Sequence, residues 1–136
     1  MRRVLFLSSI FLTCLCAAQA KSHRVVVEVN VPGEAAYKLV LNNVENMKKA
    51  FAPESVEVEV VCHGPGLDML LSSNSLGARM EKLTKSGVVF AGCANTIRGR
   101  KIAKNRLYGF VRVVPSGVAE VVRKQEAGWS YLKGAF

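Results

Sequence analysis

The sequence predicts an α/β protein in which a parallel sheet is covered by helices on both faces. Valine-rich runs with strand periodicity alternate along the chain with segments whose apolar residues recur every three or four positions. Residues 88–92 are wholly apolar, as is typical of an interior parallel strand. No internal repeat, low-complexity tract or linker interrupts the alternation, so we predict a single domain.

The first half of this domain contains two predicted strands and a helix. Residues 23–31 form a β-branched run that Pro32 and Gly33 end. The next apolar residues have helical spacing: Ala36, Val40, Val44, Met47 and Phe51. Over residues 56–62 valines alternate with Glu57 and Glu59, which predicts a strand whose first half has one solvent-facing side.

The second half continues the alternation. Strands are predicted over residues 88–92, 110–114 and 129–132. Helical segments are predicted over residues 67–71, 75–87, 96–104 and 118–128. The helix before the third strand carries Leu76, Met80 and Leu83 on one side, whereas Gly99 weakens the helix after it.

Residues 1–20 have the three parts of a secretory signal peptide. Arg2 and Arg3 supply a positive start, residues 4–18 are almost wholly apolar, and Ala18-Gln19-Ala20 matches the small-x-small pattern that signal peptidase cuts. The apolar run is shorter than the roughly 20 residues that span a bilayer, which disfavours a membrane anchor. We therefore expect a mature domain of residues 21–136 that is exported, periplasmic or secreted, without membrane insertion.

Composition excludes two other classes of protein. The chain has 136 residues, of which 50% are hydrophobic and 21% charged, so it has the apolar material for a core and is not a disordered chain. The net charge is +9. Only two of the four cysteines lie beyond residue 20, and two cysteines form at most one bridge, so a disulfide-stapled miniprotein is excluded.

Reactive groups in parallel sheets gather beyond the carboxyl ends of the strands, which here are the loops near residues 31–33, 62–66, 92–96 and 115–117. Cys93 follows the third strand and precedes Asn95 and Thr96 at a helix start. A helix N-terminus presents unpaired N–H groups, which lower a thiol pKa below about 8.5, and Arg98 adds positive potential. An inert buried thiol is the alternative for Cys93.

His63 ends the second strand on the same predicted edge, where it would act as a base or hydrogen-bond partner; a loop histidine without a role is the alternative. Cys62 shares a strand face with Val58 and Val60, which predicts a core thiol. A Cys62–Cys93 disulfide needs Cα atoms within roughly 7 Å, which neighbouring strands allow and an intervening strand forbids. The sequence lacks the paired Cys and His spacing that is typical of zinc sites, so we predict no zinc site.

Two further features are weighed as ligand sites. Gly64-Pro65-Gly66 is a tight turn that is able to direct backbone N–H groups toward a ligand, although a plain turn is favoured. The densest basic stretch comprises Arg98, Arg100, Lys101, Lys104 and Arg106. Predicted export and the absence of interleaved aromatic residues disfavour nucleic-acid binding. A solvated helix face is favoured, and attraction of small anions toward Cys93 is the functional alternative.

Four segments together resemble the DsrE/DsrF-like family, specifically its small exported, YchN-like members. They are VVCHGPGL at 60–67, GVVFAGCANT at 87–96, VPSGVAE at 114–120 and RKQEAGWSY at 123–131. The resemblance implies a three-layer α/β/α sandwich around a mostly parallel sheet of about five strands, and association into trimers or hexamers. Better-studied relatives work in sulfur relay, in which a cysteine accepts sulfane sulfur as a persulfide and passes it on.

By this resemblance Cys93 corresponds to the family's sulfur-accepting cysteine, which also follows the third strand. Cys62 has no counterpart in the family. We therefore predict an exported homotrimer or homohexamer that uses Cys93 to take sulfur from a small sulfur anion and give it to a partner thiol protein. It would be a sulfurtransferase-like carrier at most, without metal or organic cofactor. The predicted binding residues are His63, Gly64, Gly66, Asn95, Thr96 and Arg98. The alternative is a non-catalytic homo-oligomeric binding or structural module.

Overall fold

The computed structural model describes residues 22–135. The predicted signal peptide, residues 1–20, lies outside them. The strands are β1 (Ser22–Val29), β2 (Ser55–Cys62), β3 (Val89–Cys93), β4 (Arg112–Val114) and β5 (Ser130–Lys133). The α-helices are α1 (Glu34–Phe51), α2 (Gly77–Lys85), α3 (Ala94–Gly99) and α4 (Gly117–Glu126). Two 3₁₀ helices span Gly64–Leu70 and Lys104–Arg106.

All five strands are parallel and lie in the order β4-β3-β2-β1-β5. Helices connect consecutive strands, as parallel pairing requires, because the chain must return to the same edge of the sheet before each new strand begins. The predicted α/β class with a parallel sheet of five strands is confirmed.

Side-chain alternation divides the core into two parts. On one face Val25, Val27 and Val29 of β1 pack with the apolar side of α1 and with the 3₁₀ helix Gly64–Leu70. On the other face Val26, Val61 and Ala91 pack against Val121 of α4. Because successive strand residues point to opposite faces, a continuous valine run serves both cores at once.

Several element boundaries differ from the sequence prediction for local reasons. The predicted helix over residues 96–104 is wrong: α3 starts at Ala94 and ends at Gly99, and Lys101 has a positive φ of 52° that no α-helix continues through. The fourth strand begins at Arg112 rather than residue 110, because Val111 N–H donates to Tyr108 O at 3.1 Å and so closes a turn over residues 108–111.

The second strand also differs from its prediction, since Glu59 does not face solvent. Helix α4 covers this position, and Glu59 is 1% exposed. Its carboxylate accepts from Lys124 Nζ at 2.7 Å and Arg112 Nη2 at 2.5 Å, and Arg112 also pairs with Glu120 at 2.9 Å. A buried carboxylate persists only when cations and hydrogen bonds replace its hydration, so this ion cluster ties α4 to the sheet.

We expect Lys124→Met to lower the free energy of unfolding by about 3 kcal/mol, because it leaves the buried Glu59 carboxylate with one cation instead of two. Urea denaturation measures this loss. The control is Lys85→Met, since Lys85 forms an exposed i,i+4 pair with Glu81 and its removal costs less than about 1 kcal/mol. Equal losses in the two variants would show that the Glu59 cluster does not secure α4.

Candidate functional site

Four chemically active side chains meet at the carboxyl edge of the sheet, on the face that α4 covers. Val26 and Val61 belong to the core under α4, so Glu28 and His63, two positions further along extended chain, point to the same side. Cys93 ends β3, and its neighbour across the ladder is Val114, which also packs under α4. Tyr131 joins them from β5, where it pairs with Val26.

Cys93 lies between the N-termini of α3 and α4, and the residue as a whole is 5% exposed. Burial by itself raises the pKa of this thiol. Hydrogen bonds from the Gly117 backbone, the Thr96 hydroxyl and the backbone N–H groups of Thr96 and Asn95 outweigh burial, so the pKa of Cys93 is lowered. These donors favour the thiolate because an anion accepts hydrogen bonds more strongly than a thiol does.

The Thr96 hydroxyl has a fixed direction. Gly64 N–H donates to Thr96 Oγ1 at 2.9 Å. Since a backbone N–H only donates, Oγ1 is the acceptor there, and its own hydrogen remains available for Cys93. The turn at Gly64 therefore supports the thiol through Thr96.

Helix α4 approaches Cys93 closely because residue 117 has no side chain. A Cβ on Gly117 would lie 2.9 Å from His63 Cβ and 3.2 Å from Cys93 Cβ, closer than carbon atoms normally approach. The preceding residue, Ser116, caps α4, with its Oγ accepting from Ala119 N at 3.4 Å. The Gly117 N–H and the positive end of the helix dipole are thereby directed at the thiol.

His63 and Glu28 form a partly buried pair beside this thiol. His63 Nε2 lies 2.7 Å from Glu28 Oε1, and the two side chains are 16% and 17% exposed. Because a carboxylate only accepts, Nε2 carries the hydrogen. The Tyr131 hydroxyl donates to the other Glu28 oxygen. Burial works to raise the pKa of Glu28, but the hydrogen bonds from Tyr131 and His63 outweigh it and lower the pKa. The hydrogen bond to Glu28 also raises the pKa of Tyr131 to about 12.

The two cysteines beyond residue 20 are both free and lie on opposite faces of the sheet. Strands β2 and β3 are neighbours, but Cys62 pairs with Gly92, and Cys93 is one residue further along. A one-residue offset turns the side chain to the other face, so the disulfide does not form. Cys62 is the core thiol that the alternation predicts, and burial strongly raises its pKa.

A cleft of about 410 Å³ adjoins the site through Gly64 and Thr96, and Cys93 does not line it. It is lined by Gly64, Pro65, Asp68, Thr96, Gly99 and Arg100. The Arg100 guanidinium donates to Gly64 O at 3.3 Å and to Asp68 Oδ1 at 2.7 Å, which fixes one wall. Gly64 and Thr96 thus belong both to the cleft and to the hydrogen-bond chain that reaches Cys93.

The remaining predicted binding residues take different places. Gly66 packs beneath β1, where a Cβ would lie 2.2 Å from Val29 O, so close packing explains this glycine. Asn95 gives its backbone N–H to Cys93, while its side-chain oxygen accepts from Arg98. Arg98 is exposed on the outer side of α3.

Sequence reasoning missed Glu28, Gly117 and Tyr131. A single acid in a valine strand and a Ser-Gly helix start were visible signals for the first two. Tyr131 lies 103 positions from Glu28 along the chain, and only the β1–β5 pairing brings the two together. Among residues 22–135 no three His, Cys, Asp or Glu side chains cluster as metal ligands do. No helix in this range is long and apolar enough to cross a membrane.

The fold and the site define an α/β protein that holds a cysteine thiolate at the carboxyl edge of its sheet. The chain belongs to the DsrE/DsrF-like family, whose model matches residues 17–133. It is similar in structure to the protein of unknown function MTH1491 from Methanobacterium thermoautotrophicum, with a TM-score of 0.77 and 34% sequence identity. The alignment covers 82% of this chain and 98% of that one. A search of curated proteins found no match.

We expect Thr96→Val to move the pH midpoint of Cys93 alkylation by iodoacetamide upward, because the variant removes one hydrogen bond to the thiolate. Intact-mass analysis across a pH series measures the midpoint. The matched control is Thr84→Val, since the Thr84 hydroxyl donates only to Met80 O in its own helix. An unchanged midpoint in Thr96→Val would show that the hydroxyl does not stabilise the thiolate.

Proposed function

We propose that this protein is an exported, homo-oligomeric sulfur carrier in which Cys93 accepts sulfane sulfur as a persulfide and passes it to a partner thiol. The observation that supports the proposal most strongly is the placement of Cys93 where polar groups of Gly117, Thr96 and Asn95 lower the pKa of its thiol. Such donors stabilise an anionic sulfur before and after it is loaded. Membership of a family that is associated with sulfur relay supports the same chemistry.

In the loading step, the Cys93 thiolate attacks the sulfane sulfur of a donor such as thiosulfate. A new S–S bond forms to Cys93, the sulfur–sulfur bond of thiosulfate breaks, and sulfite leaves with the electron pair. In the release step, a partner thiolate attacks the outer sulfur, and Cys93 departs as thiolate. A thiol with a lowered pKa is the better leaving group in such exchanges.

The low exposure of Cys93 is compatible with the release step. The outer sulfur of a persulfide extends beyond Sγ by one S–S bond, about 2 Å. That sulfur, rather than Sγ, is the atom that the partner attacks. The His63–Glu28 pair lies beside Gly117 and Cys93, and neither residue lines the cleft.

We expect thiosulfate or polysulfide to add the mass of one sulfur atom to the purified protein. The addition is lost in Cys93→Ser and kept in Cys62→Ala, because Cys62 is sealed in the core and its replacement by alanine adds no buried polar atom. Intact mass spectrometry with circular dichroism as a folding check measures both. A folded protein whose Cys93 stays unmodified would support the alternative, a non-catalytic module with an inert cysteine.

Self-association is the second part of the proposal. Val118 and Val122 lie one turn apart on the outer side of α4 and are 57% and 47% exposed. An apolar pair at this spacing is a favourable contact surface for another subunit. Light scattering is expected to give the mass of a trimer or hexamer, and a Val118→Asp, Val122→Asp variant a lower mass. A wild-type monomer would remove this part of the proposal.

A further inference from the structure

We infer that a basic groove beside Cys93 binds an acidic segment of the thiol protein that takes the sulfur. This inference rests on the proposed carrier function and adds the chemistry of the partner. The basic groove consists of the cleft described above and an adjoining concavity of about 340 Å³. Arg100 lines both and pairs with Asp68 of the first, so the positive charge of the groove comes from Lys101 and Arg106, which line the second.

The charge of this region is one-sided. Residues 82–119 contain eight Lys and Arg and no Asp or Glu. Within the described residues 22–135, no carboxylate lies within 4.0 Å of Lys101, Lys104 or Arg106, and all three are exposed. By contrast, Lys85, Arg100 and Arg112 of the same region pair with acids outside it. Unneutralised cations that line a groove raise the local concentration of anionic ligands.

The groove suits a peptide segment better than a small anion. A small anion needs one pocket, whereas Arg100 joins two concavities into a longer surface. One end of this surface is Thr96, which donates to Cys93. Arg100 lies one helical turn beyond Thr96, about 6 Å along the axis. An extended chain spans about 3.3 Å per residue, so about two residues of a partner segment cover the step from Thr96 to Arg100, and residues further along the segment reach the concavity that Lys101 and Arg106 line.

The transfer balances without a further reagent. The partner thiolate attacks the outer sulfur of the Cys93 persulfide, a new S–S bond forms on the partner, and the S–S bond at Cys93 breaks. Cys93 leaves as thiolate, and the partner becomes the persulfide. The groove takes no part in bond making; it raises the encounter rate and orients the incoming thiol.

The test uses two synthetic peptides as probes. Each has one cysteine, a four-residue Gly-Ser spacer and three further residues, which are glutamates in one peptide and glutamines in the other. The protein is loaded with polysulfide, and the loss of sulfur from Cys93 is followed by intact mass. We expect the acidic peptide to react about tenfold faster at low ionic strength and the advantage to shrink as salt is added.

The decisive variant is Lys101→Glu with Arg106→Glu, in which we expect the two peptides to react at equal rates. The matched control is Lys48→Glu with Lys49→Glu, since these lysines are in the last turn of α1, at the opposite edge of the sheet, and change the net charge equally. The control should keep the preference for the acidic peptide. Its loss in both variants would attribute the effect to net charge and overturn the groove.

Two other results would also overturn the inference. Equal rates for the two peptides with the wild-type protein, after Cys93 has been loaded, would remove the groove and leave the carrier function intact. A single-stranded 12-nucleotide DNA that binds the wild type but not Lys101→Glu with Arg106→Glu, while neither peptide is preferred, would make the groove a nucleic-acid surface. Failure of Cys93 to load at all would instead contradict the proposed function.

Discussion

The site depends on one interaction, the hydrogen bonding of the Cys93 sulfur by backbone groups at the starts of α3 and α4. The thiol of a residue that is only 5% exposed would ordinarily stay neutral, because burial penalises the charged form. The amides reverse that penalty, since they provide fixed dipoles in place of water. Two helix starts converge on one atom only because β3 and β4 are adjacent and parallel, so that both strands deliver their next helices to the same edge.

The ion cluster under α4 contributes to the same interaction from a distance. Glu59 lies in the middle of β2, and its pairs with Arg112 of β4 and Lys124 of α4 connect these three elements. Lys124 also lies over the Trp129 ring at 4.0 Å from its centroid, which joins the end of α4 to the approach of β5. A helix held to the sheet through Lys124 in its last turn cannot slide without leaving a carboxylate uncompensated. The Gly117 N–H at its first turn therefore stays in register with Cys93.

Hydrophobic periodicity in the sequence predicts much of this arrangement. The features that it does not predict depend on which elements pack together. Valine runs and helical spacing predict five strands and the helices between them, and the edge rule brings Cys93 and His63 together because both follow strands. The alternation of valine and glutamate shows that the two faces of β2 differ in polarity, but it does not show that α4 covers the polar face. For this reason the sequence analysis places Glu59 in solvent. Likewise, Glu28 and Tyr131 meet only through the pairing of β1 with β5, and local pattern carries no information about that strand order.

Cys62 and Cys93 show why burial is a poor guide to thiol chemistry. Both sulfur atoms are nearly inaccessible, and they belong to neighbouring strands, yet the pKa of Cys62 is raised and that of Cys93 is lowered. Cys62 faces the valine core on the α1 side, where burial is the cause of its shift. Cys93 faces the edge where two helices begin, so the same loss of water is offset by oriented N–H groups. A one-residue step along a strand, which exchanges these environments, therefore separates an inert thiol from a nucleophilic one.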